Sequence, residues 1–404
     1  MEDCPPVLIM NLFYTGLGIA RDLAGRGVRV IGLSAHAEAF GNFTRFCEVR
    51  PAPNSQEQPE ELLKFLLRAG SELRGSVIFP TRDFDVLFLD RYRAELAPYY
   101  RLAIPPHGVL ERVLDKEALV VAARQAGVAV PRTMKASSAE ELARVQSEVG
   151  FPCVVKPVSS FQWRTTGSWE KVGGKKAFLA RDLEELRREY ARVAKVHPEI
   201  LIQEWIPGAT DQIGVLGGYA GEDGELLAYF TVRKILQSPD DFGTGCIVRS
   251  EAIPELVEPT VRLLRTLGYQ GMAEVEYKFD QRTGEHKLIE INTRHWDQHK
   301  LGEASGVNLS WVAYSSLTGR KVELQRPAAG RVTWIAEDAL LLHVLRGLYR
   351  RELHFGTLRE QLSGPRMYGI FAWNDLRPFV RHTFGVTLPS VAKQVWNKIR
   401  SNGK

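Results

Sequence analysis

Four cysteines, at positions 4, 47, 153 and 246, are all that 404 residues contain, and no two stand in a C-x-x-C spacing. That argues against a disulfide framework or a cysteine-held zinc site and fits a reducing compartment, so a cytoplasmic protein is expected. No apolar run reaches the roughly 20 residues that a membrane-spanning helix needs. The opening stretch, MEDCPPVLIMNLFYTG, has no basic leader and runs straight into a buried-strand pattern, which argues against a secretory signal. Internal repeats are missing. So is a complete dinucleotide fingerprint: Gly16-Leu17-Gly18 follows a strand, but Arg21 stands where G-x-G-x-x-G needs its last glycine. These glycines read as a tight strand-to-helix turn.

A general excess of positive charge is also missing, although the net charge is +5. Between Leu345 and Lys404 eleven Lys/Arg stand against three Asp/Glu, giving that stretch +8 and leaving the rest of the chain at −3. The basic character belongs to the C-terminal region, so nucleic-acid binding by the whole chain is not expected.

What is present is a long soluble-type chain, 44% hydrophobic and 25% charged, with room for two or three domains. The first hundred residues alternate strands (PVLIMNL, VRVIGLSA, GSVIFPT) with helices (GLGIARDLAGRG, ELLKFLLRAGSEL, DFDVLFLDRYRAEL). That rhythm predicts a Rossmann-like parallel sheet covered by helices over residues 1–108. After Pro105-Pro106 the stretch RVLDKEALVVAARQAGVAVPRT predicts one helix, and FPCVVKPV a strand with an embedded lysine. The polar, glycine-containing segment from Ser159 to Lys176 reads as a long loop, and loops of that length in compact domains are usually functional. The strand ILIQEWI, two strands around IGVLGGYA and ELLAYFTVRKI, and a hairpin of MAEVEYKFD with HKLIEINTR follow.

That hairpin carries the chemistry. Alternation puts Glu274 and Glu276 on one face of the first strand, and Glu290, Asn292 and Arg294 on one face of the second, with Ile289, Ile291 and Thr293 opposite. Carboxylates converging on one sheet face stay ionised only when cations neutralise them. Carboxylate and amide oxygens suit a hard ion such as Mg²⁺ rather than zinc, and a guanidinium beside them can clamp an anion.

The segment from about Asp115 to Leu317 resembles the ATP-grasp superfamily. Asp115-Lys116, FPCVVKP, Gln203-Glu204-Trp205-Ile206-Pro207-Gly208 and the E-x-E…E-x-N-x-R hairpin follow in the family's order. The resemblance implies an α/β architecture in which the N-terminal domain precedes a two-lobed α+β domain over 109–325, with lobes of about 116–205 and 206–320. A basic, helical C-terminal extension over 326–404 would complete it. It further implies that Lys116 and Lys156 contact ATP phosphates, and that Glu204 with the backbone of Trp205 and Ile206 holds the adenine. Asp211 would meet the ribose. Glu276, Glu290 and Asn292 would bind Mg²⁺, as two ions and with Mn²⁺ as a substitute. Arg294, Lys234 and Arg233 are the implied catalytic cations. The 159–176 loop falls where the family has a phosphate-covering lid, and its Trp163 and Trp169 are expected to close on the substrate. Arg249, His295 and Asp297 complete the expected acceptor site. Parts of the N-terminal sheet, near Tyr14 to Gly18 and Thr81 to Asp85, are expected to contribute to it.

The pattern R-K…FGTG is similar to the carboxylate–amine ligase branch of that superfamily. The implied reaction forms an amide through an acylphosphate and releases ADP and phosphate, with a small carboxylate and a small amine as substrates. Carboxylation or carbamoyl-phosphate-type chemistry and a non-catalytic ATP-binding regulator stay open. For the basic extension, a structural cap stands beside weak docking to an anionic membrane or polymer, and a homodimer is compatible with the sequence.

Overall fold

The computed structural model describes residues 4–390, apart from 159–161, 164–166, 240–241 and 329. Five parallel strands open the chain: β1 (Val7–Met10), β2 (Val30–Ser34), β3 (Glu48–Pro51), β4 (Ser76–Phe79) and β5 (Tyr100–Leu102). Their order is β3-β2-β1-β4-β5, so the chain reverses direction across the sheet between β1 and β4. β1 and β4 are buried along their whole length, as strands covered on both faces must be. The helix Pro59–Ala69 opens with proline and two glutamates and closes near Arg68, the charge order that its dipole favours. Gly16 and Gly18 lie inside the helix Tyr14–Ala24, not in a turn before it. A Cβ on Gly16 would stand 2.0 Å from the Asn11 carbonyl oxygen, and one on Gly18 would stand 2.6 Å from the His299 ring. Close packing therefore explains both glycines.

A smaller antiparallel sheet follows, of β6 (Thr133–Ala136), β7 (Cys153–Pro157), β8 (Phe178–Ala180) and β9 (Ile200–Glu204), in the order β6-β9-β7-β8. The single helix expected before it is two, Val109–Leu114 and Lys116–Gln125. Asp115 breaks it, because its carboxylate caps the second helix by accepting from the Glu117 and Ala118 amides.

The large sheet runs β14-β13-β10-β11-β12-β15-β16, from β10 (Ile213–Ala220), β11 (Leu226–Ser238), β12 (Thr244–Ser250), β13 (Gly271–Asp280), β14 (Glu285–Asn292), β15 (Thr333–Ile335) and β16 (Arg366–Tyr368). The C-terminal extension is therefore not purely helical. β15 pairs with β12, and β16 pairs with β15, so the extension continues the sheet. One core unites β1, β4, the large sheet, the helix Leu309–Leu317 and Trp334, whereas the small sheet has a core of its own. Polar ties also fix the extension to the first domain. Arg21 donates to the Asp375 carboxylate at 3.1 Å and to the Ile370 carbonyl at 2.8 Å, and within the extension Glu337 accepts from the amides of Gly369, Ile370 and Phe371.

Candidate active site

A cavity of about 590 Å³ lies between the small and large sheets, with the end of β4 closing one side. Register decides what enters it. β13 and β14 pair so that Glu276 faces Glu290 and Glu274 faces Asn292. The regular alternation expected of β14 breaks at one point: Tyr277 pairs with Leu288, so Ile289 is bulged out. Leu288 and Ile291 join the core, whereas Ile289 lines the cleft beside Glu290 instead of lying opposite it.

Lysines surround these acids. Lys234 reaches from β11 across β10 to form an ion pair with Glu276, both nearly buried. The Asn292 amide donates to Glu274 at 2.8 Å. Burial would push the Glu290 carboxyl up, but Lys116, Lys234, Lys176 and Lys156 together hold it below its ordinary value. Burial lowers Lys156, partly offset by Glu290 and Glu276. Burial raises Glu274 to about 7, with Lys234 opposing and Glu276 adding to the rise. Lys116 begins its helix beside β7, and its ammonium donates to the Pro157 carbonyl at 3.3 Å. Lys176 donates to Thr244 at 3.3 Å, linking the small-sheet side to the FGTG turn.

Arg294 stands at the end of the row. It donates to Asp83 at 2.8 Å and to the His295 carbonyl at 3.0 Å. Asp83 and neighbouring carboxylates raise its pKa against the opposing effect of burial. At the other end, Glu204, Trp205 and Ile206 line the cleft. The Glu204 carboxylate accepts from the Arg132 amide at 3.1 Å and from Arg282 at 2.8 Å.

Several expected residues lie elsewhere. Arg233 neighbours Lys234 on β11, so it points to the other face, where it pairs with Glu251 and the Asp211 carbonyl. Arg249 sits opposite Arg233 across the sheet and shares that face. It binds Thr333 at 3.1 Å and the Gln361 carbonyl at 2.7 Å, tying down the extension instead of meeting a substrate. Asp211 is exposed on a 3₁₀ turn, Thr210–Gln212, while Thr210, Ala209 and Gly208 line the cleft. His295 is buried between Phe79 and His299, outside the cleft, and burial drives its pKa well down, so it is neutral. Asp297 does line the cleft and accepts from Thr15 at 2.9 Å. Trp163 packs on Phe178 in the small-sheet core with one edge at the cleft, and Trp169 lines it half-buried. Residues 159–161 and 164–166 of the expected lid lie outside the described residues.

Asp83, Lys176, Gln298 and Lys278 also line the cavity, although no motif marks them. Thr81, Arg82 and Asp83 follow β4, and residues beyond the carboxyl end of a parallel strand are a standing signal of ligand contact. Tyr14 to Gly18 does not line it, apart from the Thr15 contact to Asp297.

Residues 246–323 match the family model described as carbamoyl-phosphate synthase L chain, ATP binding domain. That span holds the carboxylate hairpin. Over that span the chain is similar to an ATP-binding domain. It is 24% identical over 326 residues to D-aspartate ligase of Enterococcus faecium, covering 76% of this chain and 75% of that one. It is also 24% identical over 222 residues to the C-terminal section of the carbamoyl phosphate synthase large chain of Methanopyrus kandleri, covering 53% of this chain and 39% of that one. N5-carboxyaminoimidazole synthetase from Staphylococcus aureus shares the fold, with a TM-score of 0.67, 11% identity and 87% of each chain covered.

The donor set of the cleft fits Mg²⁺ bound together with a nucleotide. Among the described residues no three His, Cys, Asp or Glu side chains form a ready-made metal cage. Mg²⁺ takes one or two carboxylates and fills its octahedron with phosphate oxygens and water, so Glu276 and Glu290 with the Asn292 oxygen suit it.

Proposed function

We propose that this protein is an ATP-dependent ligase that joins a carboxylate to an amine through an acylphosphate, releasing ADP and phosphate. The observation that carries this reading is the pairing of Glu276 with Glu290 and of Glu274 with Asn292 inside a ring of four lysines, with Arg294 at its end. Such a row matches the needs of phosphoryl transfer, where positioning and neutralisation of charge supply nearly all of the catalysis.

In this assignment Glu204 and the Trp205–Ile206 backbone hold the adenine, and Lys116 and Lys156 hold the phosphates. Glu276, Glu290 and Asn292 would hold magnesium, which when bound would neutralise charge on the phosphates. Lys234, paired with Glu276, opposes the rise that burial imposes on Glu274 and helps to hold Glu290 below its ordinary value. Arg294, fixed by Asp83, orients the acid and stabilises charge developing on the transferred phosphoryl group. The reaction needs no nucleophile from the chain. The acid attacks the γ-phosphate, and the amine then displaces phosphate from the acylphosphate.

Charge balance favours two metal ions. Among the described residues seven cationic and six carboxylate side chains line the cavity, a balance of +1 with all of them ionised. ATP adds about four negative charges and the acid one more, which two divalent ions cancel.

The test is ADP release with Mg²⁺-ATP against a panel of carboxylic acids, bicarbonate included, with hydroxylamine present and Glu290→Ala as the blank. A hydroxamate made by the wild type and absent from the variant identifies the acid that is activated. ATP binding without ADP release for any acid would overturn the ligase reading, and ADP release with bicarbonate alone would move the protein to carboxylation-type chemistry.

A further inference from the structure

The described surface exposes few large apolar side chains outside one region. Phe43, Val121 and Leu324 are scattered, whereas ten others fall between Leu345 and Leu388. The helix Glu337–Arg350 has no buried residue at all. Trp373 is 83% exposed and Phe384 65%. Leu376, Val380, Phe384 and Leu388 recur every four residues along the helical segment that starts at Leu376, so they share one outward side.

The other side of that segment is firmly held. Asp375 is gripped by Arg21 and Thr44, and His382 meets Asp338 at 3.0 Å. The apolar stripe is therefore a face presented by a fixed element. Arg377 and Arg381 are exposed beside it, and the following sequence, residues 391–404, adds Lys393, Lys398, Arg400 and Lys404 without one acidic residue.

We propose that this face docks the protein on an anionic lipid surface. Aromatic and aliphatic side chains flanked by cations are the composition that seats an amphipathic helix at the headgroup boundary. The apolar chains lose water there while guanidinium groups meet lipid phosphates. Charge argues against a second copy of this chain as the occupant, because a two-fold contact sets a patch against itself and would oppose the arginines. The inference stands apart from the ligase reading, since no residue of this face lines the cleft.

The experiment is co-sedimentation of the full chain with vesicles of phosphatidylcholine, and of phosphatidylcholine mixed with phosphatidylglycerol, at low and at high salt. Binding is expected only to the mixed vesicles and should fall as salt rises. Each basic residue near such a surface contributes about five-fold to affinity, so Arg377→Glu should weaken binding by more than that. The double variant Trp373→Ser/Phe384→Ser should also release the protein while leaving its melting temperature unchanged, since both side chains are exposed. No pelleting with either vesicle, equal pelleting with both, or unchanged pelleting of both variants would overturn the proposal. So would a lipid-free dimer that the double variant dissociates, without any vesicle binding.

Discussion

Replacing Lys234 by methionine should expose the cleft's electrostatic design in one step. Lys234 is 8% exposed, ion-paired to Glu276, and within the field of Glu274 and Glu290. Taking one partner from a buried pair typically costs about 3–5 kcal/mol, because the other charge is left desolvated and uncompensated. Lys116, Lys156 and Lys176 still surround Glu290, and Asn292 still donates to Glu274, so the loss should lie near the lower end, about 3 kcal/mol. At about 1–2 °C per kcal/mol for a chain of this length, the melting temperature measured by intrinsic fluorescence in EDTA should drop by about 3–6 °C. Mg²⁺ alone should then stabilise the variant more than the wild type. The divalent ion no longer competes with an ammonium for Glu276, and a ligand that binds only the folded state adds stability in proportion to its occupancy. Lys234→Arg should keep most of the stability. The reasoning fails if Lys234→Met melts with the wild type, or if Mg²⁺ shifts both proteins equally.

Arg294→Lys keeps the charge but loses the fork that Asp83 holds, so turnover should fall about 100-fold while nucleotide affinity changes little. Equal losses in both would show that Arg294 binds ATP rather than steadying the transfer. Asp280 is fully buried and held by Arg282 and Lys287, which keep its carboxyl well below the usual range against burial. A depressed carboxyl stabilises the fold above its unfolded pKa, and that contribution disappears as pH falls through the folded value. Asp280→Asn should therefore melt below the wild type at neutral pH, with the gap closing by about 1.4 kcal/mol per unit below about pH 4; a constant gap would refute the assignment. A Cβ at Gly217 would stand 2.1 Å from the Trp296 ring, which is itself stacked on Phe230. Gly217→Ala should cost about 1–3 kcal/mol by overpacking, read as a lower melting temperature, unless Trp296 can swing into the cleft, which added nucleotide would then detect.

The carboxylate hairpin was legible because a strand's two-residue period is visible without any partner. Glu274, Glu276, Glu290 and Asn292 fall on one face in the sequence and in the register alike. The same rule, applied one step further, would have separated Lys234 from Arg233 and Arg249. Adjacent residues on β11 cannot share a face, and the β11–β12 register puts Arg249 with Arg233. Positive charge in the segment was visible, but its side depended on strand alternation that charge counting ignores. The bulge at Ile289 was beyond reach, because an extra residue in one strand shows only against its partner. Asp115 was misread for a local reason. As a cap it stops one helix and starts the next, and an uninterrupted apolar period on both sides hides the break.

Contacts between distant parts of the chain left the weakest traces. Asp83 sits 211 residues from Arg294, and nothing near either one announces the pair. Position supplied a partial substitute, since the carboxyl end of a parallel strand is where such sheets meet their ligands. The C-terminal strands had no such substitute. Thr333–Ile335 and Arg366–Tyr368 span three residues each, too few for a period to emerge. They become strands because β12 offers an unpaired edge, whose amides and carbonyls would otherwise need another partner. The extension thus completes the large sheet with its strands and binds the first domain through Asp375. Both attachments draw on its inward residues and leave the outward apolar stripe uncovered by the other described residues, which is the observation that the docking proposal rests on.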